Sequence, residues 1–257
     1  MNSVGHFKVQ DLSISFGGLK AVSKFNLELK PMSLTGLIGP NGAGKTTVFN
    51  LVTGVYPPDN GTLDLDGSNL NGKEPCQIAK AGIARTFQNI RLCGEMTVLE
   101  NVMLSYHMKK PYSLLDTLLR TPKFYAQEKK VTEEAMALLK VMKLDSKAQS
   151  LSRSLSYGNQ RRLEIARALG TSPRVLLLDE PAAGLNSQEK VELMHTIAEI
   201  RDKFKVTVLL IEHDMKLVMG ICERITVLDH GEVIAEGLPK EIRENKKVIE
   251  AYLGVSE

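Results

Sequence analysis

The residues Gly39-Pro40-Asn41-Gly42-Ala43-Gly44-Lys45-Thr46 satisfy the pattern G-x-x-x-x-G-K-[ST], and the chemistry of that pattern is the gripping of a polyphosphate. Several negative charges must be held there without water. Glycine lets backbone N–H groups converge on them, and the start of a following helix adds partial positive charge. Gly39, Asn41, Gly42 and Gly44 shape the cradle, and Lys45 is placed to bridge the β- and γ-phosphates. The Thr46 hydroxyl is placed to ligate Mg²⁺, and Thr47 to donate to the α-phosphate. A second run, Val175-Leu176-Leu177-Leu178-Asp179-Glu180, ends an apolar strand in two acids, at the sheet edge where ligands bind in open α/β folds. Asp179 suits holding Mg²⁺ through its water shell, and Glu180 suits polarising an attacking water as a general base. Alone, such a pair is as readily a solvated strand end. Its weight comes from the phosphate loop in the same chain.

A third run, Leu155-Ser156-Tyr157-Gly158-Asn159-Gln160, precedes a helical stretch over Arg161–Leu169. A small hydroxyl and a glycine at a helix start make an anion site of the same physical kind. Two phosphate sites in one chain of this size imply that the second serves another subunit. The plain alternative is a serine that caps its helix.

These groups need a scaffold that delivers them to one edge. Strands are expected at about Phe7–Ser15, Phe25–Leu29, Leu34–Ile38, Thr62–Asp66, Ile83–Thr86, Arg174–Asp179, Thr207–Glu212, Ile225–Asp229 and Glu232–Glu236. Helical patterns separate them, which predicts an α/β chain with an antiparallel sheet beside a main parallel one. Val175–Leu178 and Val208–Ile211 do not alternate and read as central strands covered on both faces. Leu34–Ile38 precedes the phosphate loop, and a helix over Thr46–Val52 follows it. From Ile90 to Asn159 helical signals replace strand signals: Val98–Lys109, Leu114–Leu119 and Phe124–Leu144, punctuated by Pro111 and Pro122. In the last, Val131, Ala135, Leu138 and Met142 form a stripe that packs on the rest of the domain or meets a partner. The expectation is one domain with two lobes, an α/β core over 1–89 and 160–257 and an inserted helical lobe over 90–159.

Composition limits the rest. With 257 residues, 43% hydrophobic and 25% charged, the chain can bury a core without staples, and disordered or disulfide-scaffold classes are excluded. Cys76, Cys93 and Cys222 are scattered and read as reduced thiols. A net charge of +3 without a basic block offers no footprint for nucleic acid, so none is expected as a partner. No secretory signal pattern opens the sequence, and no apolar run approaches a membrane span. A protein soluble by itself is expected, its membrane role reached through a partner.

Gly39–Thr46, Leu155–Asn159 and Val175–Glu180, in this order, resemble the Walker A, signature and Walker B motifs of ABC-type ATPases across essentially the whole chain. The resemblance implies a P-loop fold with a RecA-like parallel-sheet core, an N-terminal antiparallel β subdomain and an inserted α-helical subdomain. It implies ATP and Mg²⁺ as ligands, and two ATPase domains packed head to tail. Ser156 and Gly158 would then meet the γ-phosphate of an ATP held by the partner. It also implies roles that spacing does not: Gln88 reaching Mg²⁺ and the water, His213 contacting the γ-phosphate, and Phe16 stacking on adenine.

Two departures stand out: Tyr157 and Asn159 replace a Gly and a Gln of the usual L-S-G-G-Q, and Asn186 stands where Asp is common. Within the family, Leu155–Arg167, Asp179–Asn186, Ile211–Gly220 and the ending Ala251–Gly254, with the Pro111–Tyr125 segment, are similar to the larger ATPase subunit of branched-chain amino-acid importers. That likeness implies ATP hydrolysis energising uptake through membrane permeases at the cytoplasmic face of the inner membrane. A second ATPase subunit and an extracytoplasmic substrate-binding protein would complete the assembly. The alternatives are a cassette for another solute (urea, other amino acids or exported lipid) and a soluble ABC ATPase acting on nucleic acid. A phosphate-loop kinase leaves Leu155–Asn159 unexplained.

Overall fold

The structure is a computed structural model that describes residues 5–106 and 114–253. The opening residues 1–4, the end of the helix expected over Val98–Lys109, Pro111 and Gly254 lie outside the described residues. The chain divides into two compact units: Met1–Gln88 with Arg174–Ala183 and Ser187–Glu257, and Asn89–Pro173 with Gly184–Asn186.

The first unit holds both sheets. Strands β1 (Phe7–Phe16) and β2 (Leu19–Leu29) form a hairpin whose turn, Gly17-Gly18, carries positive φ at both positions. With β4 (Asn60–Leu65) and β5 (Ser68–Asn69) they make an antiparallel sheet ordered β2-β1-β4-β5. Phe7, Val9, Leu12 and Ile14 of β1 are buried, in broad alternation with more exposed neighbours. β2 begins earlier than the expected Phe25–Leu29 because its first half pairs with Leu12–Phe16, a pairing that its mixed sequence does not advertise.

The second sheet is ordered β10-β9-β3-β8-β7-β6, from β3 (Leu34–Ile38), β6 (Ile83–Arg85), β7 (Val175–Asp179), β8 (Thr207–Ile211), β9 (Arg224–Asp229) and β10 (Glu232–Gly237). It is parallel except for the β9–β10 hairpin. Every residue of β3, β7 and β8 is buried, which is why their sequences do not alternate. One core joins the inner face of the first sheet, helix α1 (Lys45–Val52) and Leu37, Leu177 and Leu209 of the second. Helices α2 (Pro75–Ala81), α7 (Ser187–Phe204), α8 (Met215–Ile221), α9 (Pro239–Arg243) and α10 (Lys246–Leu253) complete this unit.

The second unit is built from α3 (Val98–Tyr106), α4 (Leu114–Leu118), α5 (Pro122–Val141) and α6 (Tyr157–Gly170). Thr121 caps α5 by accepting from the Phe124 N–H, with Pro122 at the first helical position. The stripe Val131, Ala135, Leu138 and Met142 is buried. α6 belongs to this unit, so the return to the α/β unit falls at Arg174 rather than at the expected residue 160. α6 packs closely on α3: a Cβ on Gly170 would lie 1.9 Å from Ser105 Oγ and 3.2 Å from Tyr106 Cε2, so a larger residue there would require Ser105 to shift.

Candidate nucleotide site

The phosphate loop runs from the end of β3 into α1, and its shape depends on residues without side chains. A Cβ on Gly39 would lie 2.0 Å from the backbone oxygen of Leu228, and its φ of 151° is one that L side chains rarely adopt. Asn41 and Gly42 are exposed, and Gly44 caps the helix in a left-handed conformation. Lys45 is buried, and its Nζ donates to the oxygens of Gly39 at 2.7 Å and Pro40 at 2.8 Å. The loop is thereby closed around its own cation. Burial lowers the Lys45 pKa, while the nearby carboxylates Glu180 and Asp179 oppose that shift. Thr46 is exposed and Thr47 half-buried at the first turn of α1.

Asp179 and Glu180 sit at the C-terminal end of β7, and their surroundings differ. Asp179 is buried; its N–H donates to Thr86 Oγ1 at 3.3 Å and its Oδ2 pairs with Arg85 at 2.8 Å. Glu180 turns out of the strand with φ 46°, a conformation that costs a residue with a side chain about 1 kcal/mol or more. Its N–H donates to the Ile211 oxygen of β8 at 2.9 Å, which anchors the turn. Gln88 Nε2 donates to Glu180 Oε2 at 2.9 Å, and His213 Nδ1 stands 4.0 Å from the same oxygen. Two residues, from beyond the ends of β6 and β8, therefore converge on one oxygen of the carboxylate at the end of β7.

Phe16 is 45% exposed at the end of β1, and Tyr56 meets it edge-on with centroids 5.3 Å apart and planes at 70°. A ring this exposed lies outside the core and has surface left for a flat heterocycle. Tyr56 itself carries no sequence signal beyond its type.

The set fits a magnesium ion bound with a nucleotide. Thr46, Gln88 and Asp179 supply oxygen donors, and among the described residues no group of three or more His, Cys, Asp or Glu could hold a metal alone. A hard cation that keeps water and takes phosphate oxygens needs no more from the protein.

Residues that the sequence reading did not single out complete the site. Glu212 is buried; its carboxylate accepts from the Ala182 N–H at 2.8 Å and so ties the segment after Glu180 to the end of β8. Burial raises its pKa, and the Ala182 hydrogen bond opposes that. Tyr252 of α10 stands against the Gly39 amide, and a cavity of about 530 Å³ between loop and helix is lined by Asn41, Gly42, Ala43, His230, Lys247 and Glu250. A buried acid beside a histidine was a readable signal; a contact from the last helix was not.

In the second unit, Ser156 occupies the N-cap of α6, yet its side chain makes no capping hydrogen bond. Ser156 thus takes the cap position that the plain reading gives it, without the capping hydrogen bond. Gly158 lies in the first turn. Tyr157 has a task of its own: its hydroxyl accepts from Arg161 Nη2 at 2.6 Å, and its ring lies 5.1 Å from that guanidinium. A Cβ on Gly184 would come within 2.9 Å of the same ring, so Tyr157 packs on the loop that carries Asn186.

Known proteins show the same arrangement of sequence. Residues 22–183 match the family described as ABC transporter, and residues 232–257 match one described as branched-chain amino acid ATP-binding cassette transporter. The chain is 50% identical over 246 residues to the high-affinity branched-chain amino acid transport ATP-binding protein LivG of Escherichia coli (strain K12), covering 96% of each. Among solved structures, the ADP conformation of an ATP-binding cassette of an ABC transporter has a TM-score of 0.84 at 31% identity, covering 98% of this chain and 100% of that one. A dimeric post-hydrolysis state of a second cassette, bound to ADP and Pi, has a TM-score of 0.76 at 26% identity, covering 91% of this chain and 98% of that one.

Proposed function

The chain belongs to the ABC transporter family and is an ATP-binding subunit of a branched-chain amino acid transporter; from that premise we propose that it hydrolyses ATP to drive uptake through membrane permeases. The observation that carries the hydrolytic reading is the convergence of Gln88 and His213 on one carboxylate oxygen of Glu180.

The phosphate-loop amides and Lys45 hold the β- and γ-phosphates, and Phe16 stacks on adenine. Thr46, Asp179 and Gln88 hold Mg²⁺, which when bound neutralises charge on the phosphate oxygens. Glu180 takes the proton of the attacking water, Gln88 orients the Glu180 carboxylate, and His213 contacts the γ-phosphate. Ser156 and Gly158 address the triphosphate held by a second cassette packed head to tail, so that closing and reopening of the pair follows binding and hydrolysis. The whole chain acts as one cassette domain. It docks on permeases at the cytoplasmic face of the membrane, where an extracytoplasmic substrate-binding protein delivers cargo. None of the described helices is long and apolar enough to cross the membrane. The residues of this site are assigned to nucleotide and metal alone, and the choice of cargo is left to the permeases and the binding protein.

Reconstitution in proteoliposomes with candidate permeases and the binding protein tests this. The expected result is ATP-dependent accumulation of leucine, isoleucine and valine that Lys45→Ala abolishes. ATP hydrolysis that drives an unrelated solute instead overturns the cargo, and the absence of hydrolysis in the full assembly overturns the motor.

A further inference from the structure

Arg85, at the end of β6, is used by no step above. Its guanidinium donates from Nη2 to Asp179 Oδ2 at 2.8 Å and from Nη1 to Asn50 Oδ1 of α1 at 2.7 Å. Only 8% of the Arg85 side chain and 4% of the Asp179 side chain are exposed. Its Cζ stands 5.3 Å from the ring centroids of both Phe49 and Phe87. Its Nε finds no hydrogen-bond partner among the described residues.

As a stability device this is poor design. Desolvating two charges is costly, an unmet buried donor adds to the cost, and apolar side chains of similar volume often do as well. The geometry suits another task. A planar fork fixes a carboxylate in one orientation far better than a point charge does. Here the fork joins three segments of the site: the helix after the phosphate loop through Phe49 and Asn50, the strand end that bears Asp179, and Phe87, the residue before Gln88.

The geometry points to Arg85 as a positioning residue for the metal end of the site: it holds Asp179 Oδ2, leaves Oδ1 for the water shell of Mg²⁺, and carries the Phe87–Gln88 segment at a set distance from the same carboxylate. This rests on the proposed assignment of Asp179 to the Mg²⁺ water shell. Arg85 touches neither nucleotide nor metal and acts only through Asp179 and Phe87.

The test is a titration of binding. In full-length protein, the rise in melting temperature caused by ATP is followed as Mg²⁺ is added from zero, in wild type, Arg85→Met, Arg85→Gln and Arg85→Lys. Arg85→Met and Arg85→Gln are expected to raise the half-saturating Mg²⁺ concentration about 10- to 100-fold, as loss of an outer-shell partner does. The rise caused by ATP in EDTA is expected to change far less than the Mg²⁺ titration, because Arg85 bonds to Asn50 of α1 and to no residue of the phosphate loop itself. Arg85→Lys, which restores charge without the fork, falls between. If Arg85→Met does not fold, Arg85→Gln alone decides. Wild-type titrations in the folded neutral variants overturn the proposal. Asp179→Asn separates the two levels: it should lose the Mg²⁺-dependent increment, and if it keeps that increment the assignment of Asp179 itself fails.

Discussion

Glu180→Gln isolates the chemical step, because the structure predicts a small folding cost beside a large catalytic one. The side chain keeps its volume, and its remaining oxygen can still accept from Gln88 Nε2, now 2.9 Å from Glu180 Oε2. What weakens is one charge-assisted hydrogen bond, which becomes a neutral one, a loss of about 1 kcal/mol. The φ of 46° and the N–H bond to Ile211 are backbone properties and survive. For a domain of this size about 1 kcal/mol lowers the melting temperature by roughly 2–4 °C, leaving the protein folded at assay temperature. Removing a general base costs about 10²- to 10⁴-fold in rate, or roughly 2.7–5.4 kcal/mol of barrier. The catalytic loss thus exceeds the folding loss severalfold. Phosphate release, ATP-induced thermal stabilisation and size-exclusion chromatography should show ATP bound, little turnover, and a closed dimer that accumulates. Hydrolysis at the wild-type rate with an intact fold would refute the assignment of Glu180. Slow hydrolysis without dimer accumulation would refute the coupling of turnover to reopening.

Glu212→Gln tests the buried carboxylate. Burial raises its folded pKa above the unfolded value, so the stability linked to its protonated form is complete below the unfolded pKa and is lost as pH rises through the folded one. The variant should therefore gain on wild type as pH rises across that window, by up to about 1.4 kcal/mol per pH unit. A constant offset rides on this gain, because the new amide faces the His213 N–H; urea unfolding from pH 5 to 8 that shows the offset alone refutes it. Tyr157→Phe removes the acceptor of Arg161 Nη2 but keeps the ring beneath the guanidinium, so about 1 kcal/mol and a few degrees of melting temperature should be lost. Tyr157→Gly, which restores the usual family residue, should lose more, and an unchanged melting curve for either variant counts against the packing role. Gly39→Ala places a methyl group 2.0 Å from a backbone oxygen. It should cost about 2 kcal/mol or more and abolish ATP-induced stabilisation, and tight ATP binding by this variant would contradict the loop geometry.

Much of the fold is legible because burial on both faces and burial on one face leave different sequence traces. Val175–Leu178 and Val208–Ile211 sit inside a sheet and show unbroken apolar runs, whereas the stripe of α5 shows one wet face. Legibility fails where pairing rather than burial makes the element. The first half of β2, Leu19–Lys24, holds its place through Ile14, Ser15 and Phe16 across a Gly-Gly turn, and its residues mix exposed and buried positions. The sequence reading expects helical patterns between the strands but gives no bounds for the one over Ser187–Phe204, although the stripe Leu193, Met194, Ile197 and Ile200 could have fixed them. The lobe boundary misleads for another reason. α6 begins at the serine of a chemical motif, which draws it toward the core, whereas Gly170 and Ser105 bind it to α3 by a contact that no local pattern displays.

The candidate site divides along the same line. Residues proposed to meet a ligand, such as Lys45, Thr46, Asp179 and Glu180, are read from type and spacing because the chemistry of a bound polyphosphate restricts which side chains can serve it. Residues that hold those side chains answer only to local geometry. Arg85 and Tyr56 act through partners far off in the sequence, Asp179 and Phe16, so no local pattern marks them, whereas the acid Glu212 beside His213 leaves a trace that could have been read. Tyr157 shows how the two kinds become confused. Set against the usual signature it is a departure that threatens function, but in the structure its hydroxyl and ring hold Arg161 and its edge covers Gly184, while Ser156 and Gly158 on either side keep their types. If Ser156 and Gly158 meet the triphosphate as proposed, a change at either is expected to lower turnover more than a change at Tyr157, whose contacts are to Arg161 and Gly184.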